Sequence, residues 1–233
     1  MYQYLEKQIQ EQFDIVTALK SEEEKSLVRV RHRSTGQDFL VRRFPGSAES
    51  YQKLLGIESP YLPIVYEATE ENGQVLVLEE YIVGESVSEM LGESCFTEAE
   101  TRQIIRDVCQ ALYVLHERGI VHRDVKPDNI LLRNGSAVLV DLDAARITKD
   151  TQSRDTVALG TTGYAAPEQY GLSQTDGRAD IYALGVTINL MLTGTHPSIK
   201  LAKGRLGKIV TRCTMVQPER RYKNIKSLLR AIS

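Results

Sequence analysis

The apolar pattern of this chain changes near Gly84, and that change constrains the fold more than any other feature of the sequence. Before Gly84, five segments are rich in β-branched and aromatic residues and are bounded by turn signals, which is typical of strands. These segments are 13–19, 26–32, 38–44, 64–70 and 74–81. After Gly84, apolar residues recur at the spacing of a helix surface. The sequence therefore predicts an α+β protein, in which a small antiparallel sheet precedes a mainly helical region.

Helical spacing appears once before Gly84 and several times after it. The segment SAESYQKLLG, which follows Pro45-Gly46, predicts one helix beside the strands. Later helices are predicted from the capping box at Thr97 to Gly119, from about Arg178 to Leu192, and over shorter stretches around Ile209 and Leu228. We expect two lobes, 1–82 and 83–233, which meet at a short hinge.

Charge and cysteine content exclude several classes of partner and site. Lys and Arg number 29 against 31 Asp and Glu, so the net charge of −2 gives no reason to expect a nucleic acid or a membrane surface as partner. Cys95, Cys109 and Cys213 are widely spaced, so neither a disulfide framework nor a zinc site is indicated. The N-terminus has no apolar leader, and the most apolar stretch, 183–192, is too short to span a bilayer. We expect a soluble protein of the reducing cytoplasm.

A run of polar residues between two apolar segments marks the candidate site. His122-Arg123-Asp124-Val125-Lys126-Pro127-Asp128-Asn129 is followed by ILL, a turn at Asn134-Gly135 and the apolar AVLV. A lone HxD or DxN is more often part of a polar surface loop than of a site. Here, however, further motifs follow in a fixed order: Asp141-Leu142-Asp143, Gly160-Thr161, Tyr164, Ala166-Pro167-Glu168, 180–185 and 218–221.

This ordered set resembles the eukaryotic-like protein kinase family, in the compact form found in bacteria, over nearly the whole chain. The resemblance implies a two-lobed kinase fold, with 1–82 as the nucleotide-binding-type lobe and 83–233 as the catalytic lobe. Lys126 resembles the residue that marks the serine/threonine branch of the family. The implied activity is transfer of the γ-phosphoryl group of Mg-ATP to a serine or threonine hydroxyl of a protein.

The resemblance also implies roles for single residues. Asp124 would orient the substrate hydroxyl and accept its proton, and Lys126 would neutralise charge on the moving phosphoryl group. Asn129 and Asp141 would hold Mg²⁺ through oxygen atoms. The positions that the resemblance assigns to nucleotide binding are Leu27, Leu40, Arg42, Glu49, Glu80, Ile82, Leu131 and Asp141.

Other matches resemble structural or regulatory residues. His122 and Asp180 resemble residues that brace the catalytic loop, and Glu168 with Arg221 resembles a buried ion pair. Arg123 resembles the residue that pairs with a phosphate on the following segment in regulated kinases, although that segment also fits a merely polar loop. Its hydroxyl bearers are Thr148, Thr151, Ser153, Thr156 and Thr162.

The loop that covers the triphosphate in kinases departs from the family pattern. Family members carry GxGxxG there, because glycine lets backbone N–H groups approach phosphate oxygens closely. Lys20, Glu22 and Lys25 stand where the glycines belong. A glutamate about 4 Å from a negative charge on the ATP phosphates would cost ~4 kcal/mol at an effective dielectric of about 20. We therefore expect the glutamates of this loop to face solvent in a charged hairpin tip.

Further substitutions change the predicted nucleotide pocket. Arg42 replaces the third-strand lysine, Leu40 replaces a small residue above adenine, and Glu79 stands at the gatekeeper position. A buried carboxylate needs a partner, so we hypothesise that Arg42 pairs with Glu79 or with Glu49, the candidate helix glutamate. The alternative is that all three charged side chains lie on the surface.

Two departures concern the metal and the substrate. Asp143 replaces the glycine of DFG, and it either joins Asp141 in metal binding or stiffens the turn. Only Thr195 to Gly204 separates two predicted helices, so the helix that commonly docks protein substrates is nearly absent. Three functions stay open: an active kinase with an unusual ATP pocket, a pseudokinase that serves as a binding or scaffolding module, and a phosphotransferase for a small molecule. The intact catalytic set favours the first.

Overall fold

The computed structural model describes residues 1–148, 161–170 and 175–232 of the chain. Contacts between Cα atoms divide the chain into two units, Met1–Val83 and Gly84–Ser233. The sequence places the boundary between residues 82 and 83. That the first unit binds nucleotide and the second performs catalysis stays a prediction.

The first unit is built on an antiparallel sheet of five strands in the order β1-β2-β3-β5-β4. The strands are β1 (Phe13–Ser21), β2 (Ser26–His32), β3 (Asp38–Pro45), β4 (Val65–Glu71) and β5 (Gln74–Glu80). All five overlap the segments where the sequence predicts strands, and their ends differ by at most two residues. In the turn between β4 and β5, Asn72 and Gly73 have positive φ angles of 53° and 78°, which suit the twist of a two-residue hairpin.

One face of this sheet is covered by a helix that the sequence did not predict. α1 (Tyr2–Gln12) buries Leu5 and Ile9. Their buried partners on β2, β3 and β5 are Val30, Val41, Leu76 and Leu78. Leu5 and Ile9 are four residues apart and lie on one side of the helix. The helical period was therefore present in the sequence, but only these two apolar residues showed it.

The opposite face of the sheet carries three of the eight residues predicted to contact the nucleotide, Leu27, Leu40 and Arg42. Leu27 lies opposite Arg42, and Leu40 lies opposite Glu79. Residues paired across strands share a face, and side chains two apart on one strand do so as well, so these four side chains lie together. α2 (Glu49–Gln52) is only a single turn.

The second unit is mainly helical, and its long helices lie where the sequence predicts them. α4 (Glu98–His116) begins at a capping box, in which Thr97 and Glu100 each accept the other's backbone N–H through their side chains. α5 (Arg178–Thr193) is buried along most of its length, as expected for a helix inside a core. The other helices are α3 (Val87–Leu91), which was not predicted, α6 (Gly204–Cys213) and α7 (Ile225–Ile232).

Short strands fix the backbone around the polar run. They are β6 (Glu85–Ser86), β7 (Ile120–Val121), β8 (Ile130–Arg133), β9 (Ser136–Leu139) and β10 (Arg146–Ile147). β7 pairs with β10, and β8 lies between β6 and β9. Because β7 ends directly before His122 and β8 begins directly after Asn129, ladder hydrogen bonds hold the polar run at both ends.

The interval between α5 and α6 confirms the expected loss of a docking helix. Residues 194–203 form turns and irregular chain instead. Across the ranges that the structure describes, no helix combines the length and the apolar character needed to cross a membrane.

Candidate active site

Asp124 lies at the centre of a hydrogen-bonded network formed by the polar run. Its Oδ2 lies 2.8 Å from Lys126 Nζ and accepts a hydrogen bond from Asn129 Nδ2 at 3.1 Å. Asn129 Nδ2 also donates to the backbone carbonyl oxygen of Asp124 at 2.8 Å. The structure thus brings the three predicted catalytic residues together, while their individual roles stay predictions.

Thr161 completes this network, although sequence reasoning assigned it no role. Its backbone N–H and its hydroxyl both donate to Asp124 Oδ1, at 3.2 and 2.7 Å. Its hydroxyl oxygen accepts from Lys126 Nζ at 2.7 Å. In the sequence, Thr161 belongs to the Gly160-Thr161 pair of the ordered motifs. That pair marks a position shared with the family, but it does not show that Thr161 contacts Asp124.

The donors around Asp124 fill its carboxylate and keep it ionised. Two donors lie at each oxygen, and a carboxylate offers about four lone-pair sites, so its acceptor capacity is used. Burial by itself would raise the pKa of Asp124. The hydrogen bonds from Lys126 and Thr161 outweigh burial, so the pKa of Asp124 lies below its ordinary value.

Asp141 is joined to the same loop through the residue before it. The backbone N–H of Val140 donates to the Asn129 carbonyl oxygen at 2.9 Å, and His122 Nε2 donates to the Val140 carbonyl oxygen at 3.1 Å. The Oδ1 atom of Asp141 accepts the backbone N–H of Asp143 at 3.2 Å. These bonds fix the backbone of Asp141 relative to Asn129.

Backbone strain also marks this loop. Among the described residues, four that are not glycine have a positive φ. Asn72 and Asn134 lie in hairpin turns, whereas Arg123, with φ of 67°, and Asp141, with φ of 69°, lie in the candidate site. Unusual backbone of this kind persists only where the surrounding structure determines it, and it is concentrated at functional sites.

Asn129 and Asp141 offer the kind of oxygen donors that a magnesium ion prefers. Both hydrogens on Asn129 Nδ2 are used by Asp124, so Oδ1 is the atom that this side chain would offer to a metal. No group of three or more His, Cys, Asp and Glu side chains within the described ranges is arranged to hold a metal. Mg²⁺ usually takes only one or two carboxylates together with substrate phosphates, so this donor set suits Mg²⁺ better than a metal enclosed by protein.

Asp180 braces the start of the polar run, as predicted. Its buried side chain accepts the backbone N–H groups of His122 at 2.9 Å and Arg123 at 2.7 Å. His116 Nε2, which was not predicted, donates to Asp180 Oδ2 at 2.8 Å. Burial would raise the pKa of Asp180, but the hydrogen bond from His116 and the electrostatic effects of the His116 and His122 rings outweigh burial and lower that pKa.

The predicted ion pair between Glu168 and Arg221 is confirmed. Two parallel bonds of 2.6 and 2.7 Å join the guanidinium to the carboxylate. The Arg221 side chain is fully buried, and that of Glu168 is 11% exposed. Arg221 also donates to the carbonyl oxygens of Met215, Val216 and Arg178, so it ties three stretches of chain together.

In the first unit, Arg42 pairs with Glu79, one of the two predicted partners. Arg42 Nε lies 3.1 Å from Glu79 Oε1, and the two side chains are only 5% and 4% exposed. The alternative that all three charged side chains lie on the surface is therefore wrong. Glu49, the other predicted partner, is half-buried at the first residue of α2.

The loop that replaces GxGxxG is a charged hairpin tip, as expected. Ser21 lies opposite Ser26, and the backbone N–H of Glu22 donates to the Lys25 carbonyl oxygen at 2.8 Å. The glutamates of the tip are exposed. Lys20 Nζ and Glu22 Oε1 are 3.2 Å apart on side chains that are more than half exposed, so this pair adds little stability.

The other residues predicted to contact the nucleotide occupy both units. Leu27 and Leu40 are half-buried on the sheet, Ile82 is buried, and Glu80 Oε2 accepts the Ile64 backbone N–H at 3.2 Å. Leu131 is half-buried on β8 in the second unit. Their roles in nucleotide binding stay predictions.

The hydroxyl bearers between residues 144 and 162 are only partly described. Thr148 Oγ1 donates to the Gly119 carbonyl oxygen at 3.0 Å, and Thr162 is exposed in a turn. Thr151, Ser153 and Thr156 lie outside the described residues.

Comparison with known proteins identifies the family. A family model described as the protein kinase domain matches residues 46–231. The chain belongs to the protein kinase family. The match starts after β3, so the hairpin tip and Arg42 lie outside it.

Curated relatives of this kinase domain are bacterial serine/threonine kinases. Serine/threonine-protein kinase C of Synechocystis sp. is 31% identical over 183 residues, which are 75% of this chain and 34% of that protein. PknB of Mycolicibacterium smegmatis is 33% identical over 190 residues, 78% of this chain and 30% of that protein. Pkn1 of Myxococcus xanthus is 38% identical over 165 residues, 68% of this chain and 23% of that protein. The chain thus spans about a third or less of the length of these relatives.

Proposed function

We propose that this chain is a serine/threonine protein kinase that transfers the γ-phosphoryl group of Mg-ATP to a hydroxyl of a protein. The observation that carries the proposal is the Asp124 carboxylate, which binds Lys126, Asn129 and the Thr161 hydroxyl in one network. Phosphoryl transfer requires positioning and charge compensation more than covalent chemistry from the protein. An ammonium group and an amide, each within hydrogen-bond distance of the same carboxylate, supply both.

In this proposal Asp124 orients the substrate hydroxyl and accepts its proton. Because four donors fill the carboxylate, a substrate hydroxyl has to replace one of them. The Thr161 hydroxyl has the same chemistry as the incoming group, and it donates at 2.7 Å, a normal distance for an O–H···O bond. Rotation of the Thr161 side chain would open that position, while its backbone N–H would keep holding Asp124.

The charged groups beside Asp124 would act on the nucleotide. Lys126 would compensate charge on the phosphoryl group, and Asn129 and Asp141 would hold Mg²⁺. When bound, Mg²⁺ neutralises charge on the phosphate oxygens. The backbone of these residues is fixed by Asp180 and by the strands that flank the loop, so the groups are already in place before the substrate arrives.

The wider setting agrees with this activity. Protein kinases use ATP with Mg²⁺, and the relatives named above are serine/threonine kinases, which supports a protein hydroxyl as the acceptor. We place the protein in the cytoplasm, because its three cysteines are free thiols and thiols persist in reducing compartments.

Transfer of label from γ-labelled ATP to a generic protein substrate tests the proposal. Asp124→Asn keeps the size of the side chain but removes the base, so we expect transfer to fall by about 100-fold or more. Asp128→Asn is the matched control, since Asp128 is an exposed carboxylate of the same loop. We expect that variant to keep its activity.

Each result decides between the open functions. Equal transfer by wild type and Asp124→Asn would contradict the proposed role of Asp124. No transfer by the wild type, together with no stabilisation by millimolar Mg-ATP, would favour the pseudokinase. Transfer to a small hydroxyl compound but to no protein would favour the small-molecule phosphotransferase.

A further inference from the structure

We propose that Glu79 is a positioning residue, which holds Arg42 for contact with the nucleotide phosphates and so takes the place of a helix glutamate. The inference rests on the proposed function. In protein kinases a lysine on the third strand pairs with a glutamate on a helix, and the position of that helix controls activity. Here the corresponding cation is Arg42, and the sheet itself fixes its position next to Glu79.

The register of the sheet brings the two side chains together. Arg42 lies opposite Val77, and Glu79 lies opposite Leu40, so Arg42 and Glu79 are diagonal neighbours on one face of adjacent strands. Their closest atoms are 3.1 Å apart, and both side chains are almost fully buried. Moving one relative to the other would require a break in the ladder between β3 and β5.

The chemistry of arginine suits this arrangement better than that of lysine. Lysine carries its three N–H donors on a single nitrogen, so a carboxylate and a phosphate must both approach the same atom. Arginine carries five N–H donors in a planar fork. The bond to Glu79 uses Nε, and a guanidinium that is bound at one nitrogen has further N–H groups in the same plane with which it can meet an anion. One carboxylate can therefore fix the guanidinium while its far edge still meets another anion.

Glu49, on the short helix α2 of this unit, is a weaker candidate partner for Arg42 than Glu79. α2 is a single turn of four residues, and its N-cap residue, Ala48, has no side chain that could cap it. Glu49 is half-buried, in contrast to the nearly complete burial of Glu79. A burial difference of this size makes the electrostatic hold of Glu79 the stronger one, because solvent screens it less.

A buried pair can also be purely structural, so the test must separate the two roles. We propose to measure the Michaelis constant for ATP, together with the affinities for ATP and for adenosine. Glu79→Gln keeps the shape of the side chain and removes its charge. Glu6→Gln is the matched control, because Glu6 pairs at 3.0 Å with Arg43, the next residue of β3, whose side chain lies on the opposite face.

If Glu79 acts through Arg42, its effect should appear only where phosphates are bound. We expect Glu79→Gln to raise the Michaelis constant for ATP about tenfold, the loss typical of one charge-assisted hydrogen bond, and to leave adenosine affinity unchanged. Glu49→Gln should raise it less, and Glu6→Gln should not change it. Once Arg42→Met is present, adding Glu79→Gln should weaken ATP binding no further.

The opposite results would overturn the inference. They are an unchanged Michaelis constant in Glu79→Gln, an equal loss of adenosine affinity, a larger effect of Glu49→Gln, or additive effects in the double variant. If Glu79→Gln does not fold, the second variant is Arg42→Met with Glu79→Leu, which removes both charges of the pair together. That variant should bind ATP about tenfold more weakly than the wild type and adenosine equally well, and an ATP affinity equal to that of the wild type would contradict us. If the wild type transfers phosphate while these tests fail, the proposed function stands; if the wild type neither binds nor uses ATP, both fail.

Discussion

The two units hold the charged groups of the family in different ways. In the second unit, Asp124, Lys126 and Asn129 stand where the family motifs place them, and hydrogen bonds within one loop connect them. In the first unit the cation is Arg42, and its partner Glu79 lies on a neighbouring strand. On the proposed function, the difference has a physical reason. A residue that touches reacting atoms must keep its identity, whereas a carboxylate that only positions a cation can sit on any element within reach.

A second contrast is burial. Glu168 and Arg221 form a buried brace in the second unit. Lys20 and Glu22 form an exposed pair at the hairpin tip of the first unit. Charge pairs lose strength as solvent screens them, so the two regions should respond very differently to loss of a partner.

The largest expected effect tests the buried brace. Glu168→Gln removes the charge that faces Arg221, and the guanidinium stays buried without its counter-ion. We expect the free energy of unfolding to fall by about 3–5 kcal/mol, as for other buried pairs that lose one partner. Urea unfolding measures this change. A loss below about 1 kcal/mol, the range of exposed pairs, would break the contrast between the two regions.

A smaller effect tests the role of Thr161 within the catalytic network. Thr161→Val keeps the shape of the side chain and removes the hydroxyl that bridges Asp124 and Lys126. We expect kcat to fall about tenfold, which corresponds to one lost hydrogen bond of about 1.4 kcal/mol. Thr161→Ser restores the hydroxyl and should restore most of the rate. If valine and serine variants act alike, Thr161 has only a packing role.

The lowered pKa of Asp124 gives a prediction about pH. A carboxyl group whose pKa is lower in the folded state stabilises the fold above the unfolded pKa, and this contribution is lost as pH falls through the folded pKa. Lys126→Met removes one source of the shift. The difference in unfolding free energy between wild type and Lys126→Met should therefore be present at neutral pH and shrink in acid. Lys208→Met, at an exposed position, is the control. A difference that stays constant with pH would contradict the pairing.

The smallest effect concerns the hairpin tip. Lys20→Gln removes an exposed pair with Glu22, so we expect the unfolding free energy to change by less than about 0.5 kcal/mol. Thermal melting at low and at high salt measures it. A loss comparable to that of Glu168→Gln would show that the tip is more than an exposed turn.

Periodic and capped elements of the fold could be predicted, and short ones could not. The five strands and α4 to α7 extend over enough residues to show a clear period, and α4 also carries its capping box. α1 shows only two buried apolar residues, and α3 has five residues in all. For such short elements, stability comes from the surfaces they pack against, which the local sequence does not show.

In the candidate site, too, some contacts could be predicted from the sequence and others could not. The residues of the polar run are neighbours in sequence, so their convergence could be expected before the structure. Thr161 and His116 meet Asp124 and Asp180 across 37 and 64 residues, and only the folded chain brings them together. The pairing of Arg42 with Glu79 could be proposed because a buried carboxylate requires a cation. The choice between Glu79 and Glu49 depended on strand register and on the length of α2, which the sequence leaves open.

The most direct test of the account is the Mg²⁺ dependence of stabilisation by ATP. Thermal melting of the wild type should show stabilisation by ATP when Mg²⁺ is present, amounting to ~2.7 kcal/mol at one hundred times the dissociation constant. Asp141→Asn should lose the Mg²⁺-dependent part while the protein stays folded. Equal stabilisation with and without Mg²⁺, or an undiminished Mg²⁺ effect in Asp141→Asn, would contradict the claim that Asn129 and Asp141 hold the metal of a bound nucleotide.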